Sequence, residues 1–254
     1  MQTTGKFHTI TDGELFVPDF FQPTSRRFSI IVHFQCGGAS IQKQFYSTRI
    51  NAVHYSSSLG GRSNQFKKPF SEDNNLFQDI IDEIQEKVRE TTQQTELIAG
   101  DITITSFSAG YASVREILKE HKYYAQIQMI VMVDSIYASY VTPYIYVPVI
   151  EEMVDFMRFA QDAAQGKKVM VLTHIDHYIK DYCSSRIAAD MILYAVGGNR
   201  KSTNEKTSLG IPISSRFDCQ GFHLFHFARD TNSTHYDQFL LIEELLKTFY
   251  PKRE

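Results

Sequence analysis

Short apolar runs alternate along the chain with amphipathic stretches, and the spacing inside each identifies the element it favours. Residues 28–34 and 127–133 are rich in β-formers and almost continuously apolar, as strands covered on both faces of a sheet must be. Residues 102–107 (Ile-Thr-Ile-Thr-Ser-Phe) form a β-branched run that breaks at Ser108. Residues 50–55, 169–172 and 222–228 read as further strands, and 7–10 with 15–17 as strands bracketing the turn Asp12-Gly13. Between them, Phe77, Ile80, Ile81, Ile84 and Val88 share one face of a helix over 76–89 whose other face carries Asp82, Glu83, Glu86 and Lys87. Helices are also predicted over 112–120, 149–164, 185–195 and 237–249. The serine- and glycine-rich stretch through Gly61, the basic cluster Arg62, Lys67 and Lys68, and the polar segment 197–216 read as solvated loops.

Strands that alternate with helices need crossover connections, which give an α/β class with a mainly parallel central sheet and helices on both faces. No repeat and no linker-like segment interrupts the pattern, so 1–254 is expected to form a single domain. With 43% hydrophobic and 22% charged residues the chain can bury a sizeable core, which argues against disorder. A formal net charge of -3 and a pI near 6.3 exclude the basic footprint of a nucleic-acid binder. No apolar run reaches the roughly 18 residues of a membrane helix, and the first residues lack a secretory apolar stretch. A cytoplasmic location is the plain expectation, a mature secreted form being the alternative. Cys36, Cys183 and Cys219 are few, odd in number and far apart, as expected of free thiols rather than of disulfides or a zinc site. The histidine pairs 174/177 and 223/226 lack a supporting cluster of carboxylates or thiols, so neither a metal nor another cofactor is expected.

In an open α/β sheet, ligands collect at the carboxyl ends of the strands, so the residues there carry the chemistry. The sharpest signal is Ser106-Phe107-Ser108-Ala109-Gly110, between the β-branched run and the helix predicted from Ala112. A side chain lifted out of a sheet on a tight strand-to-helix turn needs small neighbours two positions before and after it, and Ser106 and Gly110 are small. Ser106 stands where the motif G-x-S-x-G has its first glycine. The plainer role for Ser108 is a helix N-cap.

This strand–turn–helix unit, set in an alternating chain, resembles the α/β-hydrolase superfamily, its smaller serine hydrolases and esterases in particular, over roughly residues 28–249. The resemblance implies an α/β-hydrolase fold and a triad in the order Ser, acid, His. It makes Ser108 the nucleophile and His235, expected in the loop between the last strand and the last helix, its base; the plainer role for His235 is a solvent-exposed residue at a helix start. His223 and His226 fall inside the strand pattern. Two carboxylates fit as the acid that orients the imidazole: Asp134, at the end of strand 127–133, is preferred, and Asp176, after the next strand, is the alternative. Ala109 is expected to supply one oxyanion donor, and Gln35 or Cys36, in the turn before Gly37-Gly38, the other. His174, at the active edge, is a substrate-facing or a structural residue. Tyr137 and Tyr140, with Tyr144 and Tyr146, line a pocket or pack the sheet; the segment holding them is too short for a large lid domain. The implied function is hydrolysis of carboxylic esters, with a small-molecule ester or acylated compound as substrate. An amidase or peptidase with the same triad, or a catalytically silent binding protein of the same fold, are the alternatives.

Overall fold

The computed structural model describes residues 3–142, 145–177, 179–228 and 231–251. Its contacts divide the chain into two compact units, Met1–Gln128 and Met129–Glu254.

In the first unit, β1 (Gly5–Ile10) and β2 (Gly13–Pro18) form an antiparallel hairpin, as the turn at Asp12-Gly13 predicts. β3 (Arg27–Phe34), β4 (Ala52–Ser57) and β5 (Ile98–Phe107) complete a sheet in the order β1-β2-β4-β3-β5, with β3 parallel to both β4 and β5. Ile30, Ile31, Val32 and Phe34 are wholly buried, each such side chain contributing about 1.5–3 kcal/mol to the core. The helices are α1 (Ala39–Thr48), α2 (Ser63–Glu72), α3 (Leu76–Thr92), α4 (Tyr111–Lys119) and α5 (His121–Gln126). The loop expected around Arg62, Lys67 and Lys68 is therefore helical from Ser63. Only Phe66 and Phe70, four apart, are buried in α2, and Pro69 inside the helix makes its sequence read as a breaker. The carbonyl of Phe66 accepts the buried Ser113 hydroxyl, which fixes α2 over α4.

The second unit pairs β6 (Ile127–Val133), β9 (Val169–Ile175) and β12 (Phe222–Phe227) in parallel, then adds β11 (Ser215–Cys219) and β10 (Lys201–Ser202) antiparallel. β7 (Tyr140–Thr142) and β8 (Ile145–Pro148) form a separate small hairpin. The helices are α6 (Val154–Ala164), α7 (Ser185–Ala195), α8 (Asn232–Phe239) and α9 (Ile242–Phe249). Segment 197–216, expected as loop, contains β10 and the start of β11, strands whose side chains are mostly exposed or half-buried. The helix expected over 149–164 begins as a separate 3-10 turn, Ile150–Glu152. The last helix is preceded by α8, so His235 lies within a helix rather than in a loop. The Thr231 hydroxyl starts α8 by accepting the Thr234 N–H at 3.0 Å. Among the described residues no helix is long and apolar enough to cross a membrane.

Candidate active site

β5 is buried from Ile102 to Phe107 and ends in extended backbone, with Phe107 at φ -123° and ψ 142°. Ser108 then turns to φ 48°, a left-handed conformation that costs a residue bearing a Cβ about 1 kcal/mol or more. A 3-10 turn, Ser108–Gly110, leads directly into α4, whose residues Tyr111 to Leu118 are all buried. A Cβ on Gly110 would stand 2.4 Å from the Phe34 carbonyl oxygen, so glycine is required there by space rather than by φ. Ser106 is fully buried and Ser108 half-buried. Phe34 on β3 lies in register with Ser106, so the turn after β3 and Ser108 leave the sheet at the same edge. In that turn Gln35 and Cys36 are both left-handed, at φ 77° and 61°. The Gln35 N–H is spent on the Ser57 carbonyl at 2.9 Å. Burial pushes the Cys36 thiol pKa up, which keeps this group a thiol rather than a thiolate nucleophile.

In the second unit β6 ends at Asp134, which is itself left-handed at φ 40°. Its N–H is directed at Thr173 of β9, with both the carbonyl and the hydroxyl oxygen at 3.1 Å. The residue is 1% exposed. Its Oδ2 accepts from His235 Nδ1 at 2.5 Å, and its Oδ1 accepts the Ser185 hydroxyl. A carboxylate acceptor on Nδ1 fixes that nitrogen as N–H, so in the neutral ring the lone pair able to take a proton sits on Nε2. The His235 side chain is 19% exposed.

No protein-family model matches the chain, and no curated protein matches it in sequence. Solved structures do. A mutant of the feruloyl esterase module from Clostridium thermocellum, complexed with sinapinate, aligns over 100% of this chain and 89% of its own, with a TM-score of 0.53 at 10% identity. Pyrococcus horikoshii acylaminoacyl peptidase aligns over 100% of this chain and 42% of its own, with a TM-score of 0.50 at 12% identity. The chain has the α/β-hydrolase fold. At such identities the likeness carries the fold alone.

Within the second half of this α/β-hydrolase fold, the other candidate acid is engaged elsewhere. Asp176 Oδ1 accepts from Arg186 at 2.6 Å and faces His226 Nε2 at 2.9 Å, whereas His235 Nδ1 meets Asp134. His174 is 1% exposed and stacks on His226 with ring centroids 4.6 Å apart. Its Nε2 meets the Arg200 guanidinium at 3.1 Å, and burial, then His226 and Arg200, holds its pKa well below the ordinary imidazole range. The Tyr137 hydroxyl donates to the Asp134 carbonyl at 3.1 Å and its ring meets Tyr182 edge-on. Tyr140 is buried against Tyr146, while Tyr144 lies outside the described residues. Sequence reasoning missed Ser185 and Tyr182. Ser184-Ser185 is a legible helix start, but its bond to a carboxylate 51 positions away leaves no pattern in the sequence.

Proposed function

We propose that the protein is a serine hydrolase of carboxylic esters, with 1–254 acting as one domain and Ser108, His235 and Asp134 as its triad. The observation that carries this reading is the 2.5 Å bond between Asp134 Oδ2 and His235 Nδ1, joining the acid and base that the chain order names. The left-handed turn at Ser108, between a buried strand and a buried helix, supports the nucleophile. Ser108 Oγ adds to the ester carbonyl carbon while His235 Nε2 takes its proton. The ring passes that proton to the leaving alkoxide as the acyl–oxygen bond breaks, leaving an acyl-Ser108 ester and a free alcohol. Water then adds to the acyl carbon, giving its proton to His235, and collapse returns the proton to Ser108 Oγ and releases the acid. Asp134 keeps the ring oriented and balances its charge while it is an imidazolium. The Ala109 N–H is one oxyanion donor. With the Gln35 N–H directed at Ser57, the reading assigns the second to the Cys36 N–H.

The test is hydrolysis of p-nitrophenyl acetate together with fluorophosphonate labelling. Wild type is expected to turn over and to be labelled at Ser108. Ser108→Ala should retain the fold and lose turnover by about 10⁴-fold or more. Equal hydrolysis by both proteins, or label on another residue, would refute the assignment.

A further inference from the structure

A carboxylate removed from water must have its lone pairs met by donors, or its charge is costly to keep. Asp134 is 1% exposed, and its two oxygens are divided between different elements: His235 of α8 holds Oδ2, and Ser185 of α7 holds Oδ1. Ser185 is itself 1% exposed and is the first residue of α7, after the extended N-cap Ser184. Its hydroxyl therefore sits on a rigid element, and the N-terminal end of an 11-residue helix favours negative charge beside it. The chain leading into α7 is tied to the chain leaving Asp134. The Cys183 N–H donates to the Ala138 carbonyl at 2.8 Å, and the Ala138 N–H returns to Cys183 at 3.4 Å. The carboxylate also acts on Tyr182, whose phenol pKa is pushed up by burial first and by the Asp134 charge second, which keeps it neutral. The carboxylate is thus held by a ring N–H and a hydroxyl, with the Asp134 N–H anchored on Thr173.

We propose that Ser185 is a positioning residue for this site: by holding Oδ1 of Asp134 it fixes the carboxylate plane so that Oδ2 faces His235 Nδ1. The proposal rests on the reading of Asp134 and His235 as acid and base of Ser108, and names a fourth side chain on which that pair depends. Without the Ser185 hydroxyl, Oδ1 loses a buried donor, so the carboxylate holds a proton, its own or the imidazolium's, more tightly. Either effect moves loss of the free base to higher pH.

Ser185→Ala is the test, with Ser185→Thr as the hydroxyl-bearing control and thermal melts of each to confirm folding. With p-nitrophenyl acetate, Ser185→Ala should lose about 10-fold or more in kcat at unchanged KM. The acid limb of its kcat/KM profile should move to higher pH, and Ser185→Thr should restore both. The low-field proton resonance of His235 Nδ1–H, assigned by its absence in His235→Asn, should shift in Ser185→Ala and stay in Ser185→Thr. Wild-type kcat, acid limb and resonance in folded Ser185→Ala would overturn the proposal. If wild type neither hydrolyses the ester nor labels at Ser108, the functional reading fails and the resonance alone decides: shifted, the positioning role stands; unshifted, it falls. If Ser185→Ala does not fold, Ser185→Cys, nearly the same shape with a weaker donor, takes its place under the same criteria.

Discussion

Asp134 and Asp176 follow neighbouring parallel strands, β6 and β9, and each could serve as the acid of a triad by its place in the chain. Their surroundings divide them. Asp134 is almost wholly buried and meets an imidazole N–H and a hydroxyl, partners that orient a carboxylate without neutralising it. Asp176 is partly exposed and its charge is already matched by Arg186, with His226 on the same oxygen. A carboxylate committed to a guanidinium has little field left for a transient imidazolium. Both carboxylates sit at a strand end, so on the proposed reading it is the arginine beside Asp176 that separates it from Asp134 as the acid.

That contrast is broken most sharply by Asp134→Asn. The amide cannot balance an imidazolium and favours the wrong ring tautomer, so kcat for ester hydrolysis should fall about 10⁴-fold with the fold retained. Steady-state kinetics on p-nitrophenyl acetate check it, and a loss below tenfold would return Asp134 to a structural role. Asp176→Asn should change kcat less than about threefold while lowering stability by about 1 kcal/mol, since Arg186 and His226 both lose a partner. Urea melts and the same kinetic assay separate the two effects. The smallest expected effect concerns pH. Burial lowers the His226 pKa and Asp176 opposes that lowering, so Asp176→Asn should move the His226 titration further down. A histidine whose folded pKa lies below its unfolded value of about 6.5 contributes its full stability above that pH and loses it as pH falls. The stability gap between Asp176→Asn and wild type should therefore widen from pH 7.5 to pH 5, by less than about 1.4 kcal/mol per pH unit. Imidazole NMR titrations read the shift directly, and a gap that narrows would refute this sign.

The parts of the molecule legible in the sequence are those where one local rule governs. Buried parallel strands announce themselves as apolar runs, and the turn at Ser108 through the small residues Ser106, Ala109 and Gly110. α2 was obscured because two phenylalanines are a thin apolar stripe and Pro69 interrupts it. His235 follows the last strand, as the chain order has it, but lies in α8, an eight-residue helix with few apolar residues and so little periodic signal. The backbone bond from Gln35, just after β3, to Ser57, which distinguishes Gln35 from Cys36, has no side-chain signature. Long-range polar pairings such as Ser185 with Asp134 were beyond any local rule.

The left-handed backbone at Ser108 also bears on how such a chain would change if the proposed chemistry were not needed. Glycine tolerates that geometry without penalty, so Ser108→Gly should fold with about 1 kcal/mol to spare over wild type while being unable to attack anything. A serine kept at this corner therefore opposes the drift that thermal robustness alone would favour.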